Sequence, residues 1–161
     1  IRWMEADELE NNLTVLFVEM VNKAGDCFSQ TFTLSGPGKG NISDQDEAGG
    51  LSGKLDFEKV KGLTPASINV EAIRKQYEEA KAMIPENYTF KSIGDYLIQE
   101  TVPSGNEFLD RNKTFGEVKA EFSMNITENG KEIVESAGKK SVQYYEVTFN
   151  VLPDGSVQME E

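Results

Sequence analysis

Val118-Lys119-Ala120-Glu121-Phe122-Ser123-Met124-Asn125-Ile126-Thr127 alternates strictly between apolar and polar side chains, and Asn129-Gly130 follows almost at once. A period of two is the mark of a β-strand with one face buried and one face wet. Asn-Gly is the strongest short hairpin signal, because both residues tolerate the positive φ that a type I′ turn demands. The stretch therefore predicts a long half-buried strand that turns back at Asn129-Gly130, with residues 132–136 as its short return. Past a loop at 137–140, Tyr145, Val147, Phe149 and Val151 alternate with Tyr144, Glu146, Thr148 and Asn150. Pro153-Asp154-Gly155 makes another turn, and Val157 with Met159 a brief edge strand.

The same pattern extends upstream. Tyr88 and Phe90, then Tyr96 to Ile98, predict a strand interrupted near Gly94, followed by a polar connection over 102–114. After a polar, acidic start at 5–12, residues 13–21 are apolar on both faces. The turn-like Asn22-Lys23-Ala24-Gly25-Asp26 leads to a segment in which Phe28, Gln30, Phe32 and Leu34 alternate with Ser29, Thr31 and Thr33. This predicts a hairpin over 13–34 with its first strand the more central. Residues 35–53 are rich in Gly, Ser, Asp and Asn and read as one long loop. Leu55, Phe57 and Val60 suggest a short strand after it.

Val70, Ile73, Tyr77, Ala80 and Ile84 recur at spacings of three and four, with Glu71, Arg74, Lys75, Glu78 and Glu79 turned away. Thr64-Pro65 supplies an entry signal, Ser67 and Asn69 are other candidate caps, and Pro85 stops the helix. The expectation is an α+β fold: one amphipathic helix, about 65–84, packed on a curled antiparallel sheet of about six to seven strands. All of 1–161 reads as a single domain carrying a Gly/Asp-rich loop at 35–53, with no internal repeat.

Composition excludes several chemistries. The 28 Asp and Glu against 16 Lys and Arg give a formal charge of −12, and there is no histidine. Such acidity opposes nucleic acid and anionic membrane surfaces, both of which are held by clustered cations. Without histidine the usual imidazole base and the commonest zinc ligand are missing. Cys27 is the single cysteine, so no internal disulfide, cysteine zinc cluster or CxxC redox pair can form, and it reads as an inert strand residue. No stretch is apolar enough for a transmembrane helix. The start at Ile1 and an excess of Asn-x-Ser/Thr triplets, at Asn12, Asn41, Asn87, Asn112 and Asn125, suggest export after removal of an N-terminal segment.

Motifs with metal or phosphate chemistry mostly fail on spacing. Gly49-Gly50-Leu51-Ser52-Gly53-Lys54-Leu55 resembles a phosphate loop, but Ala48 stands where its first Gly belongs and Leu55 where the Mg²⁺-binding hydroxyl belongs. Gly36-Pro37-Gly38-Lys39-Gly40 lacks the spacing of a dinucleotide fingerprint. In Asp44-Gln45-Asp46-Glu47-Ala48-Gly49 the carboxylates fit the early positions of a calcium loop, but Ala48 and Leu55 occupy ligand positions. That leaves Asp44, Asp46 and Glu47 as a weak calcium site outside any EF-hand. Glycoside hydrolysis needs two carboxylates, but nothing brings a particular pair together, and Glu121 with Glu146, on strands of one sheet, read rather as a wet sheet face. No catalytic or cofactor-binding residue is assigned. Trp3, Tyr96 and Tyr144 are the candidate interaction residues, since amphipathic rings supply contact area at small entropic loss.

The segment 64–150, with the helix Val70-Glu71-Ala72-Ile73 through Ala82-Met83-Ile84-Pro85-Glu86-Asn87-Tyr88 and then an antiparallel meander, resembles small α+β domains of uncharacterised secreted proteins and lipoproteins of Bacteroides-type bacteria. The layout is also similar to cystatin-like and PepSY-like domains. That resemblance implies a binding, inhibitory or interaction module. The cystatin inhibitory pattern Gln-x-Val-x-Gly is missing: after Gln99, Thr101 replaces the valine and Pro103 the glycine, so protease inhibition is not implied and no functional residue carries over. The leading expectation is a non-catalytic binding or protein-interaction domain, exported to the periplasm or cell surface and lipid-anchored or free, with a protein or glycan partner at the envelope. The alternative is a small ligand-binding protein or carboxylate-based hydrolase using a cavity between helix and sheet.

Overall fold

A computed structural model describes residues 1–4, 14–36, 38–47, 54–104, 106–129 and 131–160. Its strands are β1 (Arg2–Met4), β2 (Val15–Val21), β3 (Cys27–Thr33), β4 (Asp46–Glu47), β5 (Tyr88–Glu100), β6 (Val118–Glu128), β7 (Ile133–Ser136), β8 (Lys139–Val142), β9 (Tyr145–Val151) and β10 (Val157–Met159). The helices are α1 (Val70–Lys81) and the single turn α2 (Glu107–Asp110). Eight strands form one antiparallel sheet in the order β10-β9-β6-β5-β1-β2-β3-β4, while β7 and β8 pair only with each other. The three-residue β1 thus lies in the middle of the sheet, paired with β5 on one side and β2 on the other.

The expected α+β class is overturned: the chain is mostly β, with 44% strand and 15% helix. The main sheet has eight strands rather than six or seven, and the helix is shorter than 65–84. Pro65–Ser67 forms a separate 3-10 turn, and Asn69 is the cap of α1, its side chain accepting from the Ala72 N–H at 3.1 Å. Geometry explains the balance. A helix of this length spans about 18 Å, whereas eight strands about 4.8 Å apart spread over roughly 34 Å, so one helix covers only about half the sheet. It covers the β5-β6-β9-β10 half, and the β2-β3 half stays half-buried on both faces.

The core is a row of aromatic rings running across strands. Trp3 on β1 lies opposite Tyr96 on β5, Tyr96 opposite Phe122 on β6, and Phe122 opposite Phe149 on β9. Tyr96 and Phe122 stack at 5.6 Å, and Phe122 and Phe149 at 5.3 Å. Tyr77 descends from α1 and meets Phe122 edge-on at 4.6 Å. Such ring pairs add to the area they bury. Met124, Ala80 and Val157 complete the buried centre.

Several local expectations change. The break near Gly94 is not an end: β5 runs on for 13 residues, with register shifts between Phe90 and Ser92 and between Ile93 and Asp95. Each bulge absorbs one residue and restores the facing of the next. The alternation in β6 is real, but its polar face is wet only at Lys119 and partly at Glu121, because Ser123, Asn125 and Thr127 are buried like Phe122, Met124 and Ile126. The chain does turn after Asn129, where the Lys131 N–H donates to the Glu128 carbonyl at 3.0 Å, but the strand that follows does not pair back on β6, whose partner is β9. Residues between them leave the sheet as the β7-β8 hairpin, turned by Ala137 at φ 51° and Gly138 at φ 76°, both in the left-handed region a type I′ turn needs. Residues 57–59 form a 3-10 turn capped by Asp56, not a strand. The loop at 35–53 is tied to β3 through β4 and an Ile42–Phe32 bridge. Its residues 37 and 48–53 lie outside the described residues, as do 5–13 and Gly130.

Candidate functional site

Between the first half of α1 and the ends of β5, β6 and β9 lies a half-open cleft of about 650 Å³. That size is in the range of small-molecule sites, about 300 to 1,000 Å³. The local sequence builds it. Ala72 and Ile73 face down from the helix, and small or β-branched residues, Ile98, Val118, Ala120 and Val151, form the floor. Val118 keeps 52% of its surface exposed, an uncovered apolar floor at the mouth. Glu117 and Lys119, which form an ion pair at 3.6 Å, and Glu121 stand at the rim.

The inner end is polar. Gln76 is 7% exposed and Tyr96 3%, and the Tyr96 hydroxyl donates to Gln76 Oε1 at 2.7 Å. Gln76 Nε2 has no partner among the described residues. If the amide is turned over, its oxygen is the unmatched atom instead, so either orientation leaves a buried polar atom facing the cleft. Burial pushes the Tyr96 phenol up from 10.0 to about 12, and burial likewise raises Tyr77, whose hydroxyl donates to the Asp95 carbonyl at 3.2 Å. Both phenols are neutral hydrogen-bonding groups at neutral pH, not bases.

The residues singled out from sequence are scattered. Tyr96 presents no ring to solvent: it sits in the aromatic row and shows the cleft its hydroxyl end. Trp3 is half-buried, edge-on to Tyr96 at 6.3 Å. Tyr144 is 50% exposed and far along the chain fold from both, at the base of the β7-β8 hairpin. Asp44, Asp46 and Glu47 are all exposed, and Asp46 and Glu47, adjacent on β4, point to opposite faces. Among the described residues no group of three or more metal-competent side chains comes together. Asn125 is 7% exposed with its amide nitrogen donating to Ser92 Oγ at 3.0 Å, so that Asn-x-Thr triplet is closed in the folded chain. Asn12 lies outside the described residues. Cys27 is half-buried in β3, and burial is the main cause that pushes its thiol up, away from the reactive thiolate.

No helix among the described residues is long and apolar enough to cross a membrane. Compared with known proteins, the chain matches no family model, no curated protein and no solved structure.

Proposed function

We propose that the protein is a non-catalytic binding domain whose ligand lies in the cleft between α1 and the sheet. One observation carries this reading. A cleft of about 650 Å³ is lined by a buried, incompletely bonded polar pair, Gln76 and Tyr96. A purely structural core has no use for an unmatched amide beside an open cleft. The non-catalytic reading is supported by the inner pair, an amide and a protonated phenol, which offer hydrogen bonds but neither a base nor a nucleophile at neutral pH. Export to the cell envelope is part of the proposal and rests on the resemblance of residues 64–150.

The test is a ¹⁵N-labelled chain screened against drug-sized fragments. Saturable shifts confined to residues around Ala72, Gln76 and Tyr96, and abolished by Ala72→Trp, are the expected result. Binding that maps elsewhere, or that survives the Trp plug, overturns the assignment.

A further inference from the structure

Resting on that reading of the cleft, we infer that its ligand is an uncharged amphipathic molecule that enters polar end first, with a hydroxyl, carbonyl or amide group against Gln76 and Tyr96. Three features select this class. Ala72, Ile73, Ile98, Ala120 and Val151 supply a stretch of apolar wall for dispersion contacts, while Ser67, Asn69, Gln99 and Asn150 make the rest of the lining polar, which suits an amphipathic molecule. The inner end offers a matched pair, the free Gln76 Nε2–H as donor and the Tyr96 oxygen as acceptor. A hydroxyl or a primary amide satisfies both at once, and a carbonyl satisfies the donor.

Charge is excluded there by the neighbours. Gln76 and Tyr96 are themselves uncharged, so an ammonium or carboxylate held against them would be buried with no counter-ion in the pair. The ionic groups that line the cleft, Glu117, Lys119 and Glu121, sum to −1. With a chain charge of −12, an anionic ligand is opposed by the overall field as well.

Four probes that share an octyl chain and differ in the head group separate the outcomes: 1-octanol, octanamide, octanoate and octylamine, each titrated into the intact chain by calorimetry with ¹⁵N mapping. The expected result is that the alcohol and the amide bind in the cleft at least tenfold more tightly than the two ions at neutral pH. Gln76→Leu, which keeps the shape and removes the amide, should abolish the preference while leaving chain-driven binding. Tyr96→Phe is the second variant, and melting curves for both establish that the fold is retained. Equal binding of all four, or a preference for either ion, overturns the ligand class while the cleft stands as a site. No cleft binding by any probe overturns both.

Discussion

Asp95 is the residue on which the outer face of the sheet converges. Arg2 Nε and a terminal guanidinium nitrogen both reach Asp95 Oδ2 at 2.7 Å, and Ser123 Oγ donates to Oδ1 at 2.7 Å. One carboxylate therefore fastens β1, β5 and β6 together, and its side chain is 18% exposed. Asp95→Ala leaves a guanidinium and a hydroxyl without their acceptor, and should cost about 1 to 3 kcal/mol by urea denaturation. An unchanged midpoint would show the fastening to be redundant. Gln76, the other decisive residue, was half legible: it falls three after Ile73 and four before Ala80, a polar side chain on an apolar stripe. That mismatch is the signal that finds the cleft. The role of Tyr96 was not legible, because a tyrosine on a strand reads the same whether it is stacked in a core or displayed on a surface.

At the scale of elements, β7-β8 stands apart. Its residues are all exposed, including Ile133 at 64% and Val142 at 43%, and its ladder is internal. Lys91 pairs with Glu132 at its base. Two-stranded hairpins are marginal alone in water. Replacing 132–143 with a short Gly-Asn connection should therefore lower the melting temperature by no more than about 3 °C, and hairpin amides should exchange long before those of β6. Equal protection of the two would contradict this independence. The strands themselves were largely readable, since β2, β3, β6, β9 and β10 carry the alternation or turn chemistry that defines them. The bulges in β5 were not, because an inserted residue breaks the period of two just as a loop does. Asn129-Gly130 marked the turn, closed from Lys131 N–H to the Glu128 carbonyl, but not the strand partner. A turn signal reports local backbone preference, whereas β6 found its partner in β9 through the match of Phe122 and Met124 with Phe149 and Val147.

For the molecule as a whole, alkaline pH is the informative axis. Tyr77 and Tyr96 hold their protons in the folded core, Tyr96 up to about 12, whereas in the unfolded chain both ionise near 10.0. Above that pH the unfolded state releases protons that the folded state keeps, so stability is fully present below about 10 and falls as pH rises through 12. Melting temperatures taken between about pH 8 and 12 should decline, and Tyr77→Phe with Tyr96→Phe should flatten the decline. A flat profile in the unmodified chain would count against burial of the two phenols. The global class was the least legible property, because periodicity reveals that a helix exists but not how many strands lie beyond its reach. Those strands have a mechanical corollary. The half-sheet holding the aromatic row and the half formed by β2, β3 and β4 are laced together by the three residues of β1 and by Ile1, whose amino group is bonded to the Ile98 carbonyl at 2.8 Å. Tension applied at the first residue loads this narrow seam before any other, and the two leaves part there while the stacked rings are still in place.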